Sequence, residues 1–352
     1  MKITVAWNVW NNYLDTALGS EIFRLQNADK KIFDEVHLIS QGGYPDPPSQ
    51  EHTRYLDGHF AIAYPEGLPL LKVGQMSKAI FRLLEGIKHA FRYAQAHGHD
   101  FAAVTNADAW FLDLEKLHAL FNTNGVQQAA ISMRVGWVTG LELNFGNRVP
   151  LPDDHFMILN VAECARLRVF DYGHEAQFFR PRLEHFANLH YILTCFLHER
   201  VPKGALHIYT ALADTTNQYG DFTGFNQLPW QYQPAFGFLH ANAAQTPSLH
   251  QLRAAFLHNL GLTRYPLVEK YYKETAPDPR LFRRRRGVLV YKKPLKRALK
   301  EAMYWYPYLC YTALMRHKYA RRYAALPEGR VEKKTLQYFD ALHHVKPYWL
   351  TQ

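Results

Sequence analysis

The chain is expected to fold as an α/β protein. Short apolar runs of strand length alternate with longer segments whose apolar residues recur at helical spacing. One of those runs, Phe101 to Val104, is apolar without alternation, as a central strand covered on both faces should be. With 352 residues, 48% of them hydrophobic, the chain can bury a large core.

The elements follow in order. Residues 3 to 7, ITVAW, form a first strand, followed by Asn8, Asn11 and Asn12 and a helix from about Ser20 to Leu25. Residues 35 to 40, EVHLIS, form a second strand, closed by Gln41-Gly42-Gly43 and a loop with Pro45, Pro47 and Pro48. Residues 59 to 63 form a third. Gln75 to Ala96 is a strong helix, with Ile80, Leu83, Leu84, Ile87 and Phe91 on one face. The fourth strand ends at Asn106. This order matches a nucleotide-binding half of an α/β fold. Beyond a helix reaching Leu120, strands are expected at Gln128–Met133, His155–Asn160 and Ala205–Thr210, with a polar loop over Leu141–Asp154 and a long helix over Pro181–His198. Phe236 to His240 closes the domain, and residues 246 to 260 and 267 to 273 are helical.

Composition excludes several classes. Cys164, Cys195 and Cys310 lie far apart without metal-ligand spacing, which argues against a disulfide scaffold and fits a reducing compartment. The opening MKITVAWNVW carries one Lys and breaks at Asn8, so it suits a first strand better than a signal peptide. No apolar run is long enough to span a bilayer. A cytoplasmic location is expected. The net charge of +10 is uneven: from Arg280 onward there are 18 Lys+Arg and 4 Asp+Glu, which leaves residues 1 to 279 at about −4.

The stretch from His99 to Leu120 carries the chemistry. Asn106 and Asp108 flank Ala107, so in an extended backbone their side chains point the same way. Two oxygen donors then sit at the carboxyl edge of a sheet, where open α/β folds bind ligands. Such oxygens can hold a hard divalent cation, which can in turn hold a diphosphate. Asn and Asp are also ordinary turn residues.

Strand, turn and flanking segments resemble the DxD region of GT-A nucleotide-sugar glycosyltransferases, with Asn106 in place of the first Asp. The likeness covers residues 1 to about 245 in element order. It implies a GT-A-like mixed sheet flanked by helices, with a Rossmann-like nucleotide-binding half, and a separate, mostly helical basic extension over 246–352. It also implies a nucleotide-sugar donor, a glycan or lipid-linked acceptor, and a divalent metal, Mn²⁺ or Mg²⁺. Asn8 and Asn11 stand where such enzymes seat nucleobase and ribose. Lys78 is placed to meet a phosphate or to remain solvated. Asp108 and Asn106 become metal ligands, and His240, after the last core strand, a further one. An imidazole ligand favours Mn²⁺. Asn106 keeps a carbonyl oxygen but lacks the charge of the first Asp.

An inverting transferase needs a carboxylate to take the acceptor proton. Glu184 is the first candidate, with Glu175, Asp153 and Asp154 behind it; Glu184 equally suits a helix N-terminal acid. Aromatics crowd Tyr219 to Phe238 and could meet sugar faces or pack a core. The tail joins Arg283–Arg286, Lys292, Lys293, Lys296, Arg297 and Lys300 to the run AMYWYPYLCYTALM, the composition of a segment facing anionic lipid. A nucleic-acid surface and a solvated helical cap are its rivals. A nucleotidyltransferase would want a Gly-rich basic phosphate loop after the first strand, where VWNNYLD stands. A nucleic-acid-binding protein would want a basic body, and the body is slightly acidic.

Overall fold

The computed structural model describes residues 1–9, 13–42, 49–63, 74–138, 149–173, 176, 193, 196–197, 199–209, 231–233, 237–240, 247–280, 282–285 and 288–291. Their elements, in chain order, begin β1 (Lys2–Val9), α1 (Tyr13–Lys30), β2 (Glu35–Gly42), α2 (Gln50–Thr53), β3 (Gly58–Ala61), α3 (Gly74–Ala96) and β4 (Phe101–Asn106). Next come β5 (Ala109–Phe111), α4 (Leu114–Phe121), α5 (Asn124–Gln128), β6 (Ile131–Val138), β7 (Val149–Asn160), α6 (Val161–Arg166) and β8 (Leu206–Ile208). They end with β9 (Gln231–Gln233), β10 (Phe238–His240), α7 (Pro247–Asn259), α8 (Pro266–Thr275), β11 (Phe282–Arg285) and β12 (Val288–Tyr291).

The main sheet has seven strands in the order β3-β2-β1-β4-β7-β6-β8. The first four are mutually parallel, β7 runs antiparallel to both β4 and β6, and β8 is parallel to β6. The period-2 rule explains its two covered faces. Ile3, Val5, Trp7, Phe101, Ala103, Phe156 and Ile158 enter one core with Phe23 of α1 and Leu117 of α4. Their neighbours Ala6, Ala102, Val104, Met157 and Leu159 enter the opposite core with Leu84, Ile87 and Phe91 of α3. The apolar run at Phe101–Val104 lacks alternation because both faces are dry.

From β1 the chain winds outward to β2 and β3, then returns across to β4 on the other side of β1. Right-handed crossovers in opposite directions put α1 and α3 on opposite faces. The crevice between the carboxyl ends of β1 and β4 is therefore the topological switch point, the place where open α/β sheets bind ligands.

A second sheet, β5-β10-β9, continues from the end of β4. It rests on a third core in which Trp110 and Leu239 meet Ala17, Leu18 and Ile22 of α1, Ala254 and Leu257 of α7, and Leu267, Val268 and Tyr271 of α8. Gly19 makes room for this contact, since a Cβ there would lie 2.6 Å from Trp110 Cδ1. Buried Glu21 of α1 accepts from the amides of Leu267 (2.9 Å) and Val268 (3.0 Å), capping α8 from a distant helix.

Most of the expected elements that fall on described residues are present, and the differences have physical causes; most of the helix expected over Pro181–His198, and the tail beyond Tyr291, lie outside the described residues. The first helix runs from Tyr13 to Lys30, far beyond Ser20–Leu25, because α1 is buried by packing on two sides rather than by a single apolar stripe. The polar loop expected over Leu141–Asp154 is strand from Val149 onward, since β7 extends as a partner of β6 through Val149–Pro152. Asp153 and Asp154 therefore lie on a strand. The basic run at Arg283 enters the β11–β12 hairpin, not a helix. The boundary expected at residues 245/246 falls between β10 and α7, and α7 and α8 pack directly on α1. Among the described residues, no helix is long and apolar enough to cross a membrane.

Candidate functional site

The site is built at the switch point. Asn8 near the end of β1 is in register with Gln41 of β2 on one side and Asn106 of β4 on the other. Gln41 Nε2 donates to Asn8 Oδ1 (2.9 Å) and to Gly86 O of α3 (2.7 Å), while His89 Nδ1 lies 2.8 Å from Gln41 Oε1. Gly86 lets α3 approach this closely: a Cβ there would stand 2.5 Å from Asn8 Oδ1. The carbonyl of Asn8 is thus fixed from below, and its Nδ2 has no hydrogen-bond partner among the described residues. Burial, reinforced by the charge of Arg92, holds His89 below its ordinary value, so its neutral form belongs to this network.

Asn106-Ala107-Asp108 is not extended. β4 stops at Asn106, and Ala107-Asp108 form a turn into β5, tied back by the Ala107 amide donating to Asn8 O at 3.0 Å. The alternation expected across this tripeptide is therefore replaced by turn geometry. Ala107 points into the core, and Asp108 is buried beside the second sheet. Residue 240 of β10 pairs with residue 109 of β5, which seats His240 next to the turn. His240 Nε2 lies 3.3 Å from Asp108 Oδ1, and both side chains are buried. Gly237, in a left-handed conformation, is the turn residue just before β10; its carbonyl accepts from the Leu112 amide at 2.6 Å.

Asp15, in the first turn of α1, is a neighbour that the sequence pattern did not single out. It is 5% exposed and forms an ion pair with Arg253 of α7. Its carbonyl accepts from Trp110 Nε1 at 2.9 Å. Arg253 also donates from Nε to the Tyr271 hydroxyl (2.9 Å) and lies over the rings of Trp110 and Tyr271. Burial pushes the Asp15 carboxyl above its ordinary value; Arg253 opposes this, and the Asp108 carboxylate adds to it. Two carboxylates, an imidazole and a guanidinium thus share one buried neighbourhood. A sequence signal existed in the acid two residues into a helix after the first strand, but its partner lies 238 positions away.

The structure therefore brings Asn8, Asn106, Asp108 and His240 to one edge. Asn11, Glu175 and Glu184 lie outside the described residues. Lys78 is placed on the first turns of α3, and Asp153 and Asp154 on β7, by backbone alone. The donor set of Asp108 and His240 suits a divalent ion accepting both oxygen and imidazole, such as Mn²⁺. Their 3.3 Å spacing is close to the roughly 3 Å between neighbouring ligands of an octahedral ion.

No protein-family model matches the chain, and no curated protein matches it. Among solved structures, the apo form of the bifunctional glycosyltransferase WbbM is similar over 60% of this chain at 10% identity and a TM-score of 0.35. This chain spans only 39% of that protein. Core-mannan synthase A from Aspergillus fumigatus, in an Mn/GDP form, is similar over 59% of this chain and 73% of its own, at 8% identity and a TM-score of 0.35. The mannosyltransferase PcManGT from Pyrobaculum calidifontis, solved with GDP-Man and Mn²⁺, aligns over 99% of this chain and 81% of its own, at 12% identity and a TM-score of 0.31. Superpositions this loose transfer no function, so the functional reading rests on the residues of this chain.

Proposed function

We propose that the protein is a metal-dependent glycosyltransferase that moves a sugar from a nucleotide-sugar donor to an acceptor hydroxyl. The observation carrying this reading is the convergence of Asp108 and His240, 3.3 Å apart, at the carboxyl edge of β4 and beside the switch point between β1 and β4. Asp108 and His240, with Asn106 beside them, would hold Mn²⁺ or Mg²⁺. The ion's chemistry is to neutralise diphosphate charge as the donor bond breaks. Asn8, anchored through Gln41 and Gly86, would contact the nucleoside, and Asn11 and Lys78 are proposed as further contacts. Asp15 and Arg253 hold Trp110, two residues beyond Asp108, through the Asp15 carbonyl and the guanidinium over its ring. In an inverting reaction Glu184, Glu175, Asp153 or Asp154 would take the acceptor proton.

A glycan or lipid-linked acceptor, and work at the inner face of a membrane, complete the reading. The support is the charge excess after Arg280, where each basic residue near an anionic surface contributes on the order of 1 kcal/mol. A thermal-shift series with nucleoside diphosphates tests the donor half. Melting temperature should rise with nucleoside diphosphate and Mn²⁺ together, through linkage, and not in Asp108→Ala. Equal shifts in the two proteins would remove Asp108 from the donor site. Pelleting of the full chain with anionic vesicles tests the membrane half; indifference to them at low salt would refute it.

A further inference from the structure

We propose that Glu35, His37 and His99 form a second metal site, for a zinc-class transition-metal ion, at the amino edge of the sheet. Glu35 and His37 are alternate residues at the start of β2, so they share one face of it. His99 lies two residues before β4, on the far side of β1. In register terms this edge is six strand residues below Gln41 and Asn8, about 20 Å along the sheet from the Asp108 end.

Three ligand atoms converge there. His37 Nε2 and His99 Nε2 each lie 3.6 Å from Glu35 Oε1, and all three atoms are within 4.8 Å of one another. On a tetrahedral zinc, with ligands at 2.0–2.2 Å, neighbouring ligand atoms sit roughly 3.4 Å apart. Two imidazoles and one carboxylate are a donor set that zinc accepts, with a fourth position left to water.

The surrounding groups orient these ligands as the outer contacts of metal sites do. Thr4 Oγ1 meets His99 Nδ1 at 2.7 Å, which leaves Nε2 facing Glu35. The Tyr93 hydroxyl meets His37 Nδ1 at 3.3 Å, with the same result. Lys2 Nζ takes Glu35 Oε2 at 2.9 Å and leaves Oε1 to the imidazoles. A separate observation points to a ligand. His99 is 3% exposed, and its Nε2, aimed into the cluster, is buried without a hydrogen-bond partner among the described residues. Glu35 and His37 are partly exposed, which gives an ion a way in.

The test uses the tag-free full chain, stripped with chelator and dialysed against micromolar Zn²⁺, with bound metal measured by mass spectrometry. One zinc per chain is expected, together with a raised melting temperature. Glu35→Gln and His37→Gln, both at partly exposed positions that should keep the fold, should each weaken zinc binding tenfold or more. Asp108→Ala should leave it unchanged, which separates this site from the proposed donor site. Failure to bind zinc, undiminished binding in both Gln variants, or loss of the zinc in Asp108→Ala would each overturn the proposal.

Discussion

The two edges of the sheet hold similar groups in different ways. At the carboxyl edge, Asp108 and His240 come from a turn and a short strand 132 positions apart, and the Asp15 behind them is held by Arg253 from a helix further still. At the amino edge, Glu35, His37 and His99 are set by neighbouring strands, with Lys2 and Thr4 of β1 between them. The first constellation depends on the second sheet and α7 docking onto α1. The second forms as soon as β1, β2 and β4 pair. A change in docking should therefore disturb the Asp108 site and spare the amino edge.

The largest effect is expected for Asp108→Ala. A bound ion that stabilises leaving-group charge is worth several kcal/mol, so transfer should fall by roughly 10³-fold or more. Sugar transfer measured with Mn²⁺ on a variant with unchanged circular dichroism checks this, and near-normal turnover would end the assignment. Arg253→Met comes next. It leaves the Asp15 carboxylate buried without its cation, which costs about 3–5 kcal/mol in chemical denaturation. Adding Asp15→Asn should recover much of that loss. The matching change at the other edge, Lys2→Gln, breaks an exposed pair and should barely move the denaturation midpoint. Similar losses from Arg253→Met and Lys2→Gln would erase the contrast between the edges.

His240→Ala should raise the Mn²⁺ concentration for half-maximal activity by about tenfold, comparable with losing one oriented ligand contact. An unchanged metal titration would make His240 a packing residue of β10. The smallest effect concerns His89. Its folded value is depressed from the ordinary 6.5 by burial and Arg92, so the unfolded chain takes up this proton first as pH falls. The stability contributed by neutral His89 is complete above 6.5 and is lost as pH drops through the lower folded value. His89→Gln should flatten the change in urea midpoint between about pH 7.5 and about pH 5.5. An identical slope in the variant would exclude His89 as its source.

Most strands of the main sheet, helix α3 and the place of the Asn106–Asp108 turn were legible in the sequence because hydrophobic periodicity is a local property. Phe101 to Val104 announces a two-sided strand by its own composition, and α3 by its own apolar stripe. His240 was singled out only by the resemblance, as a residue after the last core strand; in the structure it is the last residue of β10. Its 3.3 Å approach to Asp108 required the pairing of β10 with β5. The extension of β7 back to Val149 was illegible because Pro150, Pro152 and two acids look like a loop until β6 supplies a partner. Asp15 with Arg253, Glu21 with the start of α8, and Glu35, His37 and His99 as a cluster were decided by tertiary structure alone. A buried polar group must find its partner wherever the fold brings one, and that choice is written in contacts between distant residues rather than in the residues beside it.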